Sequence, residues 1–163
     1  MNDSLRCTRC CFTGHRPQRL LRPEDDIRVD LENSILASIR EGCHTFISGM
    51  ACGVDIWAAE IVVRMKDQFP DMNLHLIAAI PYAGFDERWP EDWRERYRAL
   101  LGRAEYVKVV EPFCSRAAYQ RRNEWMVNHS ARVIAVYNGQ AGGTRNTISY
   151  ARRQKVPVIL LKG

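Results

Sequence analysis

Short apolar runs alternate along this chain with longer stretches of helical periodicity, and that alternation restricts the fold more than any other feature. The runs are Cys7–Thr13, His44–Ser48, Leu74–Ile80, Tyr106–Val110, Val133–Tyr137 and Val156–Leu161. Each has the length of a strand. Leu74–Ile80 ends at Pro81 and reads as a strand covered on both faces. Between the runs lie five helical segments. In Ile27–Glu41 the residues Ile27, Leu31, Ile35 and Ile39 recur every four positions, and Gly42 supplies a stop. The others run from the Gly49–Gly53 turn to about Lys66, and over Glu91–Leu101, Ala118–Ser130 and Asn146–Gln154. Strand–helix alternation gives parallel strands joined by right-handed crossovers. The expected fold is therefore α/β: a Rossmann-like, doubly wound, mainly parallel sheet of about six strands with helices on both faces. A length of 163 residues suits a single domain over residues 1–163.

Composition narrows the function classes. No apolar run approaches the ~20 residues needed to span a bilayer. The opening MNDSLRCTRCC has no long apolar stretch after its charges, so a cytoplasmic location without membrane attachment is expected. Cys7, Cys10 and Cys11 cluster, while Cys43, Cys52 and Cys114 stand apart. A zinc site needs a second cysteine pair or a histidine pair at ligand spacing, and neither is found, so no metal is expected and the thiols read as reduced and structural. The net charge of +5 favours acidic partners such as nucleotides, although basic residues are spread along the chain rather than gathered into a run.

Three turns carry the candidate chemistry: Thr13–Pro17, Ser48–Asp55 and Gly139–Thr144. Each follows a strand, so in a parallel sheet all three meet at one edge. Ligands bind at that edge, where the strand order reverses. Glycine lets backbone approach a ligand, and a helix N-terminus offers free N–H donors to an anion. Gly14, Ser48, Gly49, Gly53, Gly142, Gly143 and Thr144 are the expected anion-binding residues. The full dinucleotide and Walker A patterns are absent. Arg16 is either a phosphate clamp or a surface arginine. Arg122 and Asn123, on the inward face of their helix, serve either a phosphate or ribose, or a salt bridge to Glu60 or Asp55. Asp55 and Glu60 are the acids of an almost wholly apolar helix, about 140° apart around it. Asp55 is either a helix cap or a functional acid; Glu60 is expected to be a buried carboxylate with a partner. Trp89, Trp93 and Tyr97 form a four-spaced stripe that reads as core or subunit interface rather than as a base-stacking platform, in keeping with an expected homo-oligomer.

The segments TGHRP, ISGMACGVDIWAAE, AIPYAGFDERW, RRNEWMV and AVYNGQAGGTRNTISYA, in this order over nearly the whole chain, resemble the YpsA-like proteins of the SLOG superfamily. That superfamily is Rossmann-like and includes relatives of DNA-processing protein A and of the "lonely guy" phosphoribohydrolases. The resemblance implies a nucleotide or nucleotide-derived ligand, such as a nucleoside monophosphate or an ADP-ribose- or NAD-like molecule, bound for sensing or regulation, and no certain cofactor. Ser48, Gly49, Ala51, Gly53, Val54 and Asp55 match the glycine-containing segment of the DNA-processing protein, which implies single-stranded DNA binding as an alternative. Gly142-Gly143-Thr144 resembles the phosphate cradle of the phosphoribohydrolases, but Thr147 stands where their catalytic glutamate is expected. N-glycosidic hydrolysis of a nucleotide, the other alternative, would then fall to Glu60 or Asp55.

Overall fold

The computed structural model describes residues 3–163. After a single helical turn, α1 (Asp3–Arg6), the chain runs β1 (Arg9–Gly14), α2 (Glu24–Arg40), β2 (Thr45–Ser48), α3 (Val54–Gln68), β3 (His75–Ile80), α4 (Glu91–Leu101), β4 (Tyr106–Val109), α5 (Arg116–Asn128), β5 (Arg132–Tyr137), α6 (Gly143–Arg153) and β6 (Val158–Lys162). All six strands are parallel, in the order β4-β3-β2-β1-β5-β6. The sheet grows outward from β1 in one direction through β4, then restarts on the other side of β1 with β5. The reversal lies between β1 and β5. Their register pairs Thr13 with Ala135 and Gly14 with Val136, so the two following turns leave the sheet at one level.

Period-two alternation builds two cores. Cys10 and Phe12, Phe46, Leu76, Ala78 and Ile80, Ile134 and Val136 face α2, α3 and α4. Cys11, Ile47, Ile77 and Ala79, Val133 and Ala135 face α5 and α6 through Met126, Val127, Ile148 and Ala151. Of the residues that set helical periodicity in α2, Ile27, Leu31 and Ile35 are fully buried and Ile39 packs partly buried against the same core.

Several boundaries differ from the periodicity reading, each for a local reason. The first strand starts at Arg9, because Cys7 and Thr8 close α1: the Cys7 thiol donates to the Ser4 carbonyl at 2.9 Å and the Thr8 hydroxyl to that of Leu5 at 3.1 Å. Helix α2 begins at Glu24, behind Pro23, with Glu24, Asp25 and Asp26 in its first turn where the helix dipole favours acids. Helix α5 begins at Arg116, because Ser115 caps it by accepting from the Ala118 N–H at 3.0 Å. Helix α6 begins three residues before the expected Asn146, so Gly143 and Thr144 are its first turn rather than loop. Among the described residues, no helix is long and apolar enough to cross a membrane.

Candidate functional site

At the carboxyl ends of β1 and β5, where the strand order reverses, lies a cavity of about 140 Å³. The first turn supplies Thr13, Gly14, His15 and Arg16, and the 3-10 turn Pro17–Arg19 supplies Arg19. Ala51 and Asp55 come from the approach to α3, Tyr119, Arg122 and Asn123 from α5, and Gly143 and Thr144 from the start of α6. Thus the three turns expected to converge do converge, with α5 as the fourth wall.

Arg122 is 4% exposed and locked in place. Its Nη1 donates to the Gly49 carbonyl and, at 3.4 Å, to that of Ala79; its Nε donates to Asn123 Oδ1 at 2.9 Å. Burial depresses its pKa, Asp55 opposes that, and Arg16 adds to it. Asp55 accepts from the Ala51 N–H at 3.3 Å. Burial raises its carboxyl above the usual range, while Arg122, Arg16 and the Ala51 amide pull it back. Gly49 lies between the two: a Cβ there would sit 2.5 Å from Arg122 Nη1 and 2.7 Å from Asp55 Oδ2. The close approach of these charges therefore requires glycine.

Ser48 is buried behind the cavity and does not line it. Its hydroxyl donates to the Asp55 carbonyl at 2.8 Å and accepts from the Met50 N–H at 3.0 Å, tying the turn to the first residues of α3. Gly53 and Gly142 frame the turns without lining the cavity. Asn146 is the first residue of α6 whose N–H reaches back along the helix, to Gly142 at 3.0 Å. The amides of Gly143, Thr144 and Arg145 precede it in the first turn, where intrahelical acceptors are lacking.

Glu60 is placed elsewhere. It projects from the opposite side of α3, towards α2 and α4, and it is ion-paired rather than enclosed. Arg96 grips it in a fork, Nε to Oε1 at 2.7 Å and Nη2 to Oε2 at 2.8 Å, and Arg28 donates to Oε2 at 2.9 Å. Burial works to raise this carboxyl, but the hydrogen bonds from Arg96 and Arg28 hold it below its ordinary value. The apolar pattern of α3 correctly implies that Glu60 has partners, but those partners are structural arginines on neighbouring helices. The same geometry answers for Arg122, whose nearby acid is Asp55 and not Glu60.

His15, Arg19 and Tyr119 were not among the expected ligand residues. Arg19 Nη2 donates to the Ala141 carbonyl at 2.6 Å and to Gln140 Oε1 at 3.2 Å, fastening the turn before α6. His15 is 2% exposed, stacks on Tyr137 at 5.5 Å, and its Nε2 has no hydrogen-bond partner. Burial and then Arg19 lower its pKa, with the Asn138 side chain acting against them. Arg16, Arg19 and Arg122 then face the single carboxylate of Asp55 among the described lining residues, leaving the cavity cationic.

The chain matches the family model described as the YspA SLOG family over residues 10–157. It is 31% identical over 146 residues to an uncharacterized SPbeta prophage-derived protein, YoqJ, of Bacillus subtilis strain 168, covering 82% of each chain. Among solved structures it resembles DNA processing protein A from Streptococcus pneumoniae, with a TM-score of 0.66 and 16% identity. The match covers 99% of this chain and 52% of that one, so this chain spans about half the length of that structure. It also resembles DNA processing protein A from Helicobacter pylori, whose structure is described as giving insight into its single-stranded DNA binding mode. That TM-score is 0.63, at 19% identity, over 100% of this chain and 69% of the other. At these identities the two structures speak for the fold alone.

Proposed function

Since the chain belongs to the YspA SLOG family, we propose that it binds the phosphorylated end of a nucleotide in the cavity between β1 and β5. One observation carries the reading: Arg16, Arg19 and Arg122 converge with the first-turn amides of α6 on one small cationic hollow at the reversal of strand order. Arginine forks and free helix-terminal N–H groups are the donors a phosphate monoester takes. At about 140 Å³ the hollow is smaller than the roughly 300 Å³ of a pocket that encloses a whole small molecule. It suits the phosphate and the adjoining sugar, with the rest of the ligand lying along the rim.

Calorimetric titration with AMP and with adenosine tests this. AMP binds and adenosine does not. Arg16→Ala and Arg19→Ala each weaken AMP by about tenfold or more, the worth of a charge-assisted hydrogen bond. Equal affinity for AMP and adenosine, or arginine variants without effect, would contradict the reading.

A second reading is single-stranded DNA binding: the fold is shared with DNA processing protein A, and the cationic hollow offers donors to a phosphate backbone. It requires affinity for an oligonucleotide that falls steeply with salt and exceeds that for AMP. Hydrolysis of an N-glycosidic bond would rest on Asp55 alone, because Glu60 lies outside the cavity. Release of free base by Asp55→Asn at the wild-type rate would exclude that role.

A further inference from the structure

Beside the anion cavity lies a second, larger cleft of about 390 Å³, lined by Tyr82, Gly84, Phe85, Arg88, Trp89 and Tyr119. Tyr119 lines both hollows, so the two adjoin through one side chain. Trp89 continues into a third hollow that it shares with Arg16, itself a wall of the anion cavity. An aromatic rim therefore borders the phosphate-sized hollow on two sides.

The rings brace one another edge to face. Phe85 meets Trp89 at 4.8 Å and 80°, and Tyr97 at 5.4 Å and 85°; Tyr82 meets Tyr119 at 5.8 Å and 85°. The Tyr82 and Tyr119 hydroxyls are hydrogen-bonded at 2.9 Å. Phe85 and Tyr97 are consumed by this packing and buried, while Tyr82, Trp89 and Tyr119 remain half-buried. Each edge-to-face contact takes the edge of one ring and one face of the other, so it is the cleft-facing surfaces of the half-buried Tyr82, Trp89 and Tyr119 that remain available to a flat partner. Arg88 and Glu87 stand exposed at the mouth and offer a donor and an acceptor to ring heteroatoms.

We infer that this aromatic cleft is the base subsite of the ligand whose phosphate occupies the anion cavity, and that it takes a planar heteroaromatic base by stacking. The inference rests on the phosphate reading above. Every face-to-face platform tolerates several bases, so the cleft selects for a base over no base more strongly than for one base over another.

The test compares AMP with ribose 5-phosphate, which shares its phosphate and sugar but has no base. AMP binds about tenfold or more tightly, the preference that stacking one base supplies. In Trp89→Leu that preference disappears while ribose 5-phosphate binds as before, which also shows that the variant is folded. Cys114 lines the cleft and Cys7 lies at the opposite edge of the sheet, and both are exposed free thiols. AMP slows alkylation of Cys114 by iodoacetamide and leaves Cys7 unchanged; ribose 5-phosphate slows neither. Equal affinity for the two ligands, with no protection of Cys114 by AMP, would overturn the base subsite and leave the phosphate reading standing. If neither ligand binds, both fall.

Discussion

Two acids on one helix, Asp55 and Glu60, divide the labour of α3, and they respond oppositely to pH. The Glu60 carboxyl lies below its ordinary value in the folded protein because Arg96 and Arg28 hold its charge against the cost of burial. Its contribution to stability is complete above the unfolded pKa of about 4.3 and is lost as pH falls through the folded value. Glu60→Gln should therefore cost about 1–2 kcal/mol at pH 7. In paired melting experiments its deficit against the wild type should close as the pH drops below about 4. Binding of AMP should be untouched. Asp55 lies above its ordinary value because it is desolvated. The folded state then holds its proton more tightly than the unfolded chain, so stability falls as pH rises from the unfolded pKa through the folded one. Asp55→Asn should gain on the wild type over that interval. A pair of variants with pH dependences of the same sign would contradict these assignments.

At the scale of the element, the turn between β5 and α6 decides whether the helix presents its amides. Gly142 has φ +146, and a Cβ there would lie 2.7 Å from Arg19 Nη1. Gly139, in the same turn, has φ +89, but a Cβ there would meet nothing within 4 Å. Alanine at either position carries the backbone strain of positive φ, of order 1 kcal/mol. Only at Gly142 does it also displace the arginine that fastens the turn through Ala141. Gly142→Ala should therefore weaken AMP binding while Gly139→Ala leaves it near the wild-type value at a similar loss of melting temperature. Equal losses of affinity in both variants would mean that the turn acts only through its general stability.

For the whole molecule, the order of strands assembles the site. All six strands lie within two residues of the apolar runs: β1, β2, β3 and β5 are buried on both faces, which leaves a strong mark in the sequence, and the more exposed edge strands β4 and β6 are marked by their aliphatic, β-branched and aromatic residues. The glycine turns were legible for a similar reason: their residues are local and their edge of the sheet follows from parallel topology. What a linear reading could not supply was the neighbour relations. Arg19 reaches Ala141, and Tyr119 reaches Tyr82, only because β5 returns beside β1 and α5 crosses behind the sheet. Glu60 looked like a site residue for the same reason, since nothing in α3 shows that α2 and α4 bring Arg28 and Arg96 against it. His15 carried no signal beyond its place after Gly14; its burial and its unpaired Nε2 emerge only with Tyr137 packed across it. The central claim is that a phosphate sits between β1 and β5 on the first turn of α6. The most direct measurement is a two-dimensional amide NMR titration with AMP, adenosine and inorganic phosphate. AMP and phosphate should shift the amides of Gly14, Gly143 and Thr144, and adenosine should not. Shifts centred on the opposite edge of the sheet, around Cys7 and Lys155, or shifts from adenosine equal to those from AMP, would contradict it.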